Sequence, residues 1–170
     1  MKHTLMIVLS LFLGSSLFAQ ELNQKVMDEK SQKEILIGYC DRTGLMSGDF
    51  GMSYTEEHSL YRPDNDVLNA LKYKLDDVLF VIVLGTWCGD SKEQVPRFVK
   101  LLDCLKYDLS GVTFIGVDRS KTAGSVPTGE YGIEKVPTFI VLRKGSEIGR
   151  IIETPAVSLE KDLLEIISKP

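Results

Sequence analysis

The residue in this chain best set to do covalent chemistry is a cysteine at the end of an apolar run. In residues 83–98, "VLGTWCGDSKEQVPRF", a strand-like stretch closes on Gly85-Thr86-Trp87, Cys88 follows, and a helical pattern begins directly behind it. The free N–H groups of a helix's first turn, with the helix dipole, favour an anion there and draw a thiol toward its nucleophilic thiolate form. Asp90, two residues on, opposes this with its own negative charge. Trp87 would shield one side of the sulfur and offer a flat apolar surface. A dithiol centre of the Cys-x-x-Cys kind needs a cysteine at position 91, where the chain has Ser91. A lone thiolate can still attack a disulfide and form a mixed disulfide, released by an outside thiol or by another cysteine of the chain. The competing reading makes Cys88 a small buried apolar residue.

Presenting such a cysteine takes a buried strand and a helix, and the chain has patterns for both. Residues 78–85, "VLFVIVLG", form a continuous apolar run of strand length, the mark of a strand buried on two faces. A helix is expected over 90–107, apolar at Val95, Phe98, Val99, Leu101, Leu102 and Leu105. Its periodicity continues past Pro96, which should kink rather than end it. "GVTFIGVD" (111–118) reads as a second buried strand, and 120–136 as a loop with one helical turn. "PTFIVLR", the turn "KGSE" and "IGRIIE" make a hairpin. "SLEKDLLEIIS" is an amphipathic helix opened by Ser158, with Lys161 where a capping box has Glu or Gln. Upstream, "PDNDVLNALKYKL" carries Asp64 or Asn65 as N-cap and Val67, Leu68, Leu71 and Leu75 on one face. Residues 21–37 read as a helix fraying at Gly38, 41–54 as irregular, and 56–61 as a helical turn stopped by Pro63. The order from residue 64 predicts an α/β fold, a mixed central sheet with helices on both faces. Residues 20–63 are expected to be an N-terminal helical extension.

At 170 residues with 44% hydrophobic content, the chain suits one compact domain with a modest extension. Lys2 and His3, an apolar run over 5–13 and "SLFAQ" read as a secretory signal peptide over 1–19, with Ala19 before the cut. An uncleaved anchor is the competing reading, although the run is short for a span. Of 20 basic and 24 acidic residues the leader takes Lys2 alone, leaving a net charge of about −5 and speaking against nucleic acid as a partner. No stable membrane span is expected after signal removal. An exported chain, periplasmic or secreted, meets an oxidising compartment, and three cysteines leave at least one unpaired within it.

"TWCGDS", with Pro96 eight residues after the cysteine, and "YGIEKVPTFIVLRKGSEIGR" resemble the thioredoxin family over about residues 64–170. The whole string is similar to exported bacterial thioredoxin-like proteins of the "GTWCxDS" type. The resemblance implies a thioredoxin-like fold and a thiol–disulfide oxidoreductase acting through mixed disulfides. Its substrate would be a disulfide-containing protein or a small thiol compound, with an external thiol donor and no cofactor. In that reading Cys88, Ser91, Trp87 and Pro137 are the catalytic residues. Pro137 matches the family's cis proline, Thr138 the threonine after it, and Gly145 the glycine of the next hairpin turn. Val136 and Thr138 would bind substrate, Val136 through its backbone as a short added strand. Three departures accompany the resemblance. Ser91 replaces the resolving cysteine, Ile82 stands in the place of a buried acid, and Phe114 stands where a lysine partners that acid.

The remaining candidates are weighed against plainer roles. Cys104 lies sixteen residues along the same helix from Cys88, about 24 Å at ~1.5 Å per residue. That is beyond disulfide reach, and it is expected to be a packing residue. Cys40 is either a structural or free cysteine, or the partner of Cys88 in a regulatory or resolving disulfide. Glu56-Glu57-His58 are read as a solvated helix face, no metal site being expected. Arg119 and Lys121 in "VDRSK" are read as a surface loop, with offsetting Asp90 or meeting an anionic partner as the alternative. Arg150 and Glu153 guard an edge strand. Gly85 stands where thiol peroxidases carry threonine. Two further functions stay open: a redox-inactive peptide-binding module, and a thiol peroxidase.

Overall fold

The sequence of strand β4, Val78–Leu84, is nearly all β-branched or large apolar, and every residue except Leu79 is buried. Such a strand needs partners on both edges and cover on both faces. In the computed structural model, which describes residues 21–169, it has both; the expected leader lies outside the described residues. β5 (Val112–Gly116) runs parallel to β4, and β6 (Thr138–Arg143) antiparallel to it on the other side. β7 (Ser146–Ile152) pairs with β6 through a two-residue turn, Lys144-Gly145, both at positive φ, the conformation a tight hairpin demands. β3 (Gly38–Cys40) closes the far edge antiparallel to β5, giving the order β3-β5-β4-β6-β7.

Strand alternation sorts the core into two layers. Phe80, Ile82 and Leu84 face one side with Phe114 and Cys40, and every helix contributes to that layer: α1 (Arg42–Leu45), α2 (Gly48–Leu60), α3 (Asn65–Leu71), α4 (Gly89–Cys104) and α5 (Leu159–Ser168). Val81, Val83, Ile115 and Val117 face the other side, covered by Ala123, Val126, Val136 and Tyr131. Helices were expected on both faces. The second face is instead closed by the segment between β5 and β6, whose helical content is one 3-10 turn at Gly129–Tyr131. α4 continues through Pro96, and Asp64 and Ser158 cap α3 and α5 with their side chains. Among the described residues no helix is long and apolar enough to cross a membrane.

The N-terminal segment departs from its expected form. Residues 21–37 are not helical but carry a hairpin, β1 (Lys25–Asp28) with β2 (Lys33–Leu36). Its turn is fixed by Asp28, whose carboxylate accepts hydrogen bonds from the Ser31 N–H (2.9 Å) and hydroxyl (2.6 Å). Gly38–Cys40, assigned to the extension, is a strand of the main sheet. Residues 41–54, expected irregular, hold α1 and most of α2. Nor is the Glu56-Glu57-His58 face merely solvated, because polar ties dock α2 on α4. Arg97 pairs with Glu57, while Asp103 accepts from both Arg42 (2.5 Å) and His58 (2.7 Å).

Candidate functional site

The site lies where β4 ends. Cys88 is the N-cap of α4: its backbone is extended, its N–H donates to the Gly85 carbonyl at 2.8 Å, and its carbonyl accepts from Lys92 at 3.1 Å. The side chain is half-buried, and Sγ donates to the Val136 carbonyl at 3.3 Å. The Val136–Pro137 peptide is cis, and both residues are buried. The structure therefore brings Cys88, Val136 and Pro137 together. Thr138 is buried, and its hydroxyl donates to the Lys135 carbonyl at 2.7 Å. That bond ties down the segment touching the sulfur, so the hydroxyl holds the site's frame.

Ser91 sits one turn into α4 with 0% of its surface exposed. Its Oγ accepts the Gly85 N–H at 3.2 Å, joining the end of β4 to the helix. Among the described hydrogen bonds it has none to Cys88. Trp87 is clamped beside the cysteine. Its indole N–H donates to the Val117 carbonyl at 2.9 Å, and its ring folds back over Gly85. A Cβ at Gly85 would lie 2.6 Å from Trp87 Cε2, so the glycine is required by close approach. The threonine of a peroxidase site has no room there.

Trp87 also carries two cations. The Arg119 guanidinium lies 4.7 Å from its ring centroid and the Lys121 ammonium 5.7 Å, within cation–π range. The "VDRSK" segment is thus part of the site's wall. Asp118 organises it by accepting from the N–H groups of Ser120 and Thr122 and from the Thr122 hydroxyl. Arg119 is forked onto Asp28 of the hairpin, Nε at 2.9 Å and Nη2 at 2.8 Å. These bonds, with those from Ser31, hold the Asp28 carboxyl far below the usual carboxylate range. Arg119 is raised in turn, chiefly by its bond to Asp28. Asp28 was not among the residues singled out in the sequence, and nothing local to it signals a site.

The other cysteines stand apart. Cys40 pairs across β3 with Phe114, so it faces the helical layer, whereas Cys88 packs against the opposite one. Burial pushes the Cys40 thiol up to about 12. Cys104, expected to pack, is exposed at the end of α4, and all three thiols are free. Ile82 and Phe114 face each other in register on β4 and β5, both buried. The place of a buried acid and its lysine is therefore filled by two apolar side chains in contact with the core.

Comparison with known proteins places this geometry. The sequence model of the family described as Thioredoxin matches residues 65–168. A thioredoxin-like protein of Acanthamoeba polyphaga mimivirus is 29% identical over 101 residues, 59% of this chain and 71% of its own length. A thioredoxin of Echinococcus granulosus is 30% identical over 89 residues, 52% of this chain and 77% of its own. Rice thioredoxin H2-1 reaches 32% over 79 residues, 46% of this chain and 53% of its own. Among solved structures, reduced Schistosoma mansoni thioredoxin is 30% identical, covering 52% of this chain and 78% of that one, with a TM-score of 0.34.

Proposed function

Because the chain belongs to the thioredoxin family, we propose that it is an exported thiol–disulfide oxidoreductase working through a single nucleophile, Cys88. The Cys88 thiolate attacks one sulfur of a substrate disulfide. A new S–S bond joins Cys88 to that sulfur, the substrate S–S bond breaks, and the departing thiolate takes a proton from solvent. An external thiol then attacks the mixed disulfide, re-forming the Cys88 thiolate and carrying the substrate sulfur away in a new disulfide. A second external thiol completes a net reduction, and attack by another thiol of the same substrate gives isomerisation.

The observation that carries this reading is the setting of the sulfur. Cys88 is half-exposed at a helix N-terminus, bonded to the Val136 carbonyl, with Trp87 and Pro137 as walls. Cys40 is buried toward the opposite face of the sheet and Cys104 is at the far end of α4, which supports a resolving thiol from another molecule. Val136 would pair with an extended substrate through its backbone. The leader read in residues 1–19 supports export.

Incubation with a disulfide-bonded peptide tests it. A dithiothreitol-sensitive adduct should form on Cys88 and vanish in Cys88→Ala; an adduct of equal yield in that variant would end the proposal.

A further inference from the structure

The hairpin β1–β2 touches the reactive loop at both ends. The Leu36 N–H donates to the Thr86 hydroxyl at 3.1 Å, directly before Trp87, and Asp28 holds Arg119 against the Trp87 ring. A free arginine side chain carries ample rotamer entropy and would leave a half-exposed indole for water. Asp28 prevents this. It is only 6% exposed and immobilised by Ser31, so its two oxygens present a fixed fork for the guanidinium.

Several elements bring charged groups toward Cys88. Asp90 lies on its own helix; Arg119 and Lys121 come from the loop after β5, and Asp28 from the hairpin. Lys135 precedes Val136 and is paired to Glu153 at 2.6 Å. Lys121 donates to the Arg119 carbonyl at 3.0 Å, so it follows wherever that segment is held. Arg119 stands on the ring of Trp87, the residue directly before Cys88.

We propose that Asp28 is a positioning residue: by fixing the Arg119 guanidinium on the ring of Trp87 it keeps a cation on the residue next to Cys88, so that the N-terminal hairpin completes the reactive site. The proposal rests on Cys88 being the nucleophile. It makes a prediction of sign. Asp28 is itself an anion, so removing it with Arg119 unmoved would favour the thiolate. Removing it when it positions Arg119 disfavours the thiolate.

The experiment is the pH profile of Cys88 alkylation by iodoacetamide, read on the Cys88 peptide by mass spectrometry. It compares the parent protein, Asp28→Ala, Arg119→Ala and the double variant. Both single variants should slow alkylation at pH 7 about three- to tenfold and shift the profile to higher pH. The double variant should go no further. Faster or parent-like alkylation in Asp28→Ala overturns the proposal, as does a parent-like rate in Arg119→Ala. If Asp28→Ala does not fold, Asp28→Asn retains an acceptor for Ser31 and should fall between the parent and Arg119→Ala; a rate equal to or above the parent's overturns the proposal. A parent whose Cys88 reacts no faster than a cysteine in an unstructured peptide overturns the nucleophile reading itself. A reactive parent with unaffected variants overturns the positioning role alone.

Discussion

Replacing Ser91 by alanine separates two roles that its place in the loop suggests. If the hydroxyl serves the strand end, as its bond to the Gly85 N–H indicates, the variant loses stability and keeps its reactivity. The donor is a backbone amide in a place closed to water, since both Gly85 and Ser91 are buried. Leaving such a donor unpaired costs about 1–3 kcal/mol. With a urea dependence of about 1–3 kcal/mol per molar, the unfolding midpoint should fall by about 1 M. A domain stable by about 5–15 kcal/mol stays folded after that loss, so both readouts can be taken on the native protein. The assay is urea unfolding followed by Trp87 fluorescence, alongside Cys88 alkylation at pH 7. Alkylation should change by less than about twofold, there being no sulfur–hydroxyl bond to lose. An unmoved midpoint together with a tenfold fall in alkylation would refute the reasoning and return the hydroxyl to the sulfur.

Three further outcomes follow from the same geometry. Gly85→Ala places a methyl against the Trp87 ring and should cost about 1–3 kcal/mol by displacing it; a thermal melt and the loss of Trp87's native emission would report it, and an unchanged melt would contradict the close approach. In native protein at pH 8, iodoacetamide should label Cys104 and Cys88 but spare Cys40, which should react only after guanidinium unfolding; peptide mapping decides. The Cys40 thiol is raised from 9.0 to about 12 by burial, so the unfolded chain releases this proton first as pH climbs. Its share of stability is therefore intact below pH 9 and declines as pH rises toward 12. Cys40→Val should flatten that part of the stability profile, and an identical slope in the variant would count against it.

The parts of the fold that announced themselves were those with unbroken apolar patterns. β4, β5, the β6–β7 hairpin, α4 and α5 bury most of the side chains that their patterns mark, with Leu79 and Ile152 left half exposed. The β1–β2 hairpin gave no such signal, because Val26 and Met27 are 42% and 58% exposed and its buried face is partly Asp28. Its turn has neither glycine nor proline; Gln32 adopts positive φ and Asp28 ties the loop with its own side chain. α2 was obscured by Gly48, Gly51 and Ser53, which look like loop residues and stand in a helix held to α4 by the Arg97–Glu57 ion pair and the His58–Asp103 hydrogen bond. At the site, Cys88 and Trp87 were legible from local pattern, and the Val136-Pro137 segment from the family resemblance. Asp28 was not, since its partner is 91 residues away and only the folded chain brings the two together.

The pairing of Ile82 with Phe114 bears on how easily a chain of this kind could change its chemistry. Installing a second thiol at position 91 is one substitution, but the acid and lysine that would serve it are two more, at the centre of the sheet. An aspartate at 82 alone would face Phe114 and Phe139 in a place closed to solvent, and a lysine at 114 alone would be equally stranded. Each intermediate costs several kcal/mol, a large part of a domain's whole stability. Only both together balance. The buried acid–lysine pair that would serve a second thiol thus sits behind a mutational barrier that no single substitution crosses, built from nothing more reactive than two apolar side chains in register.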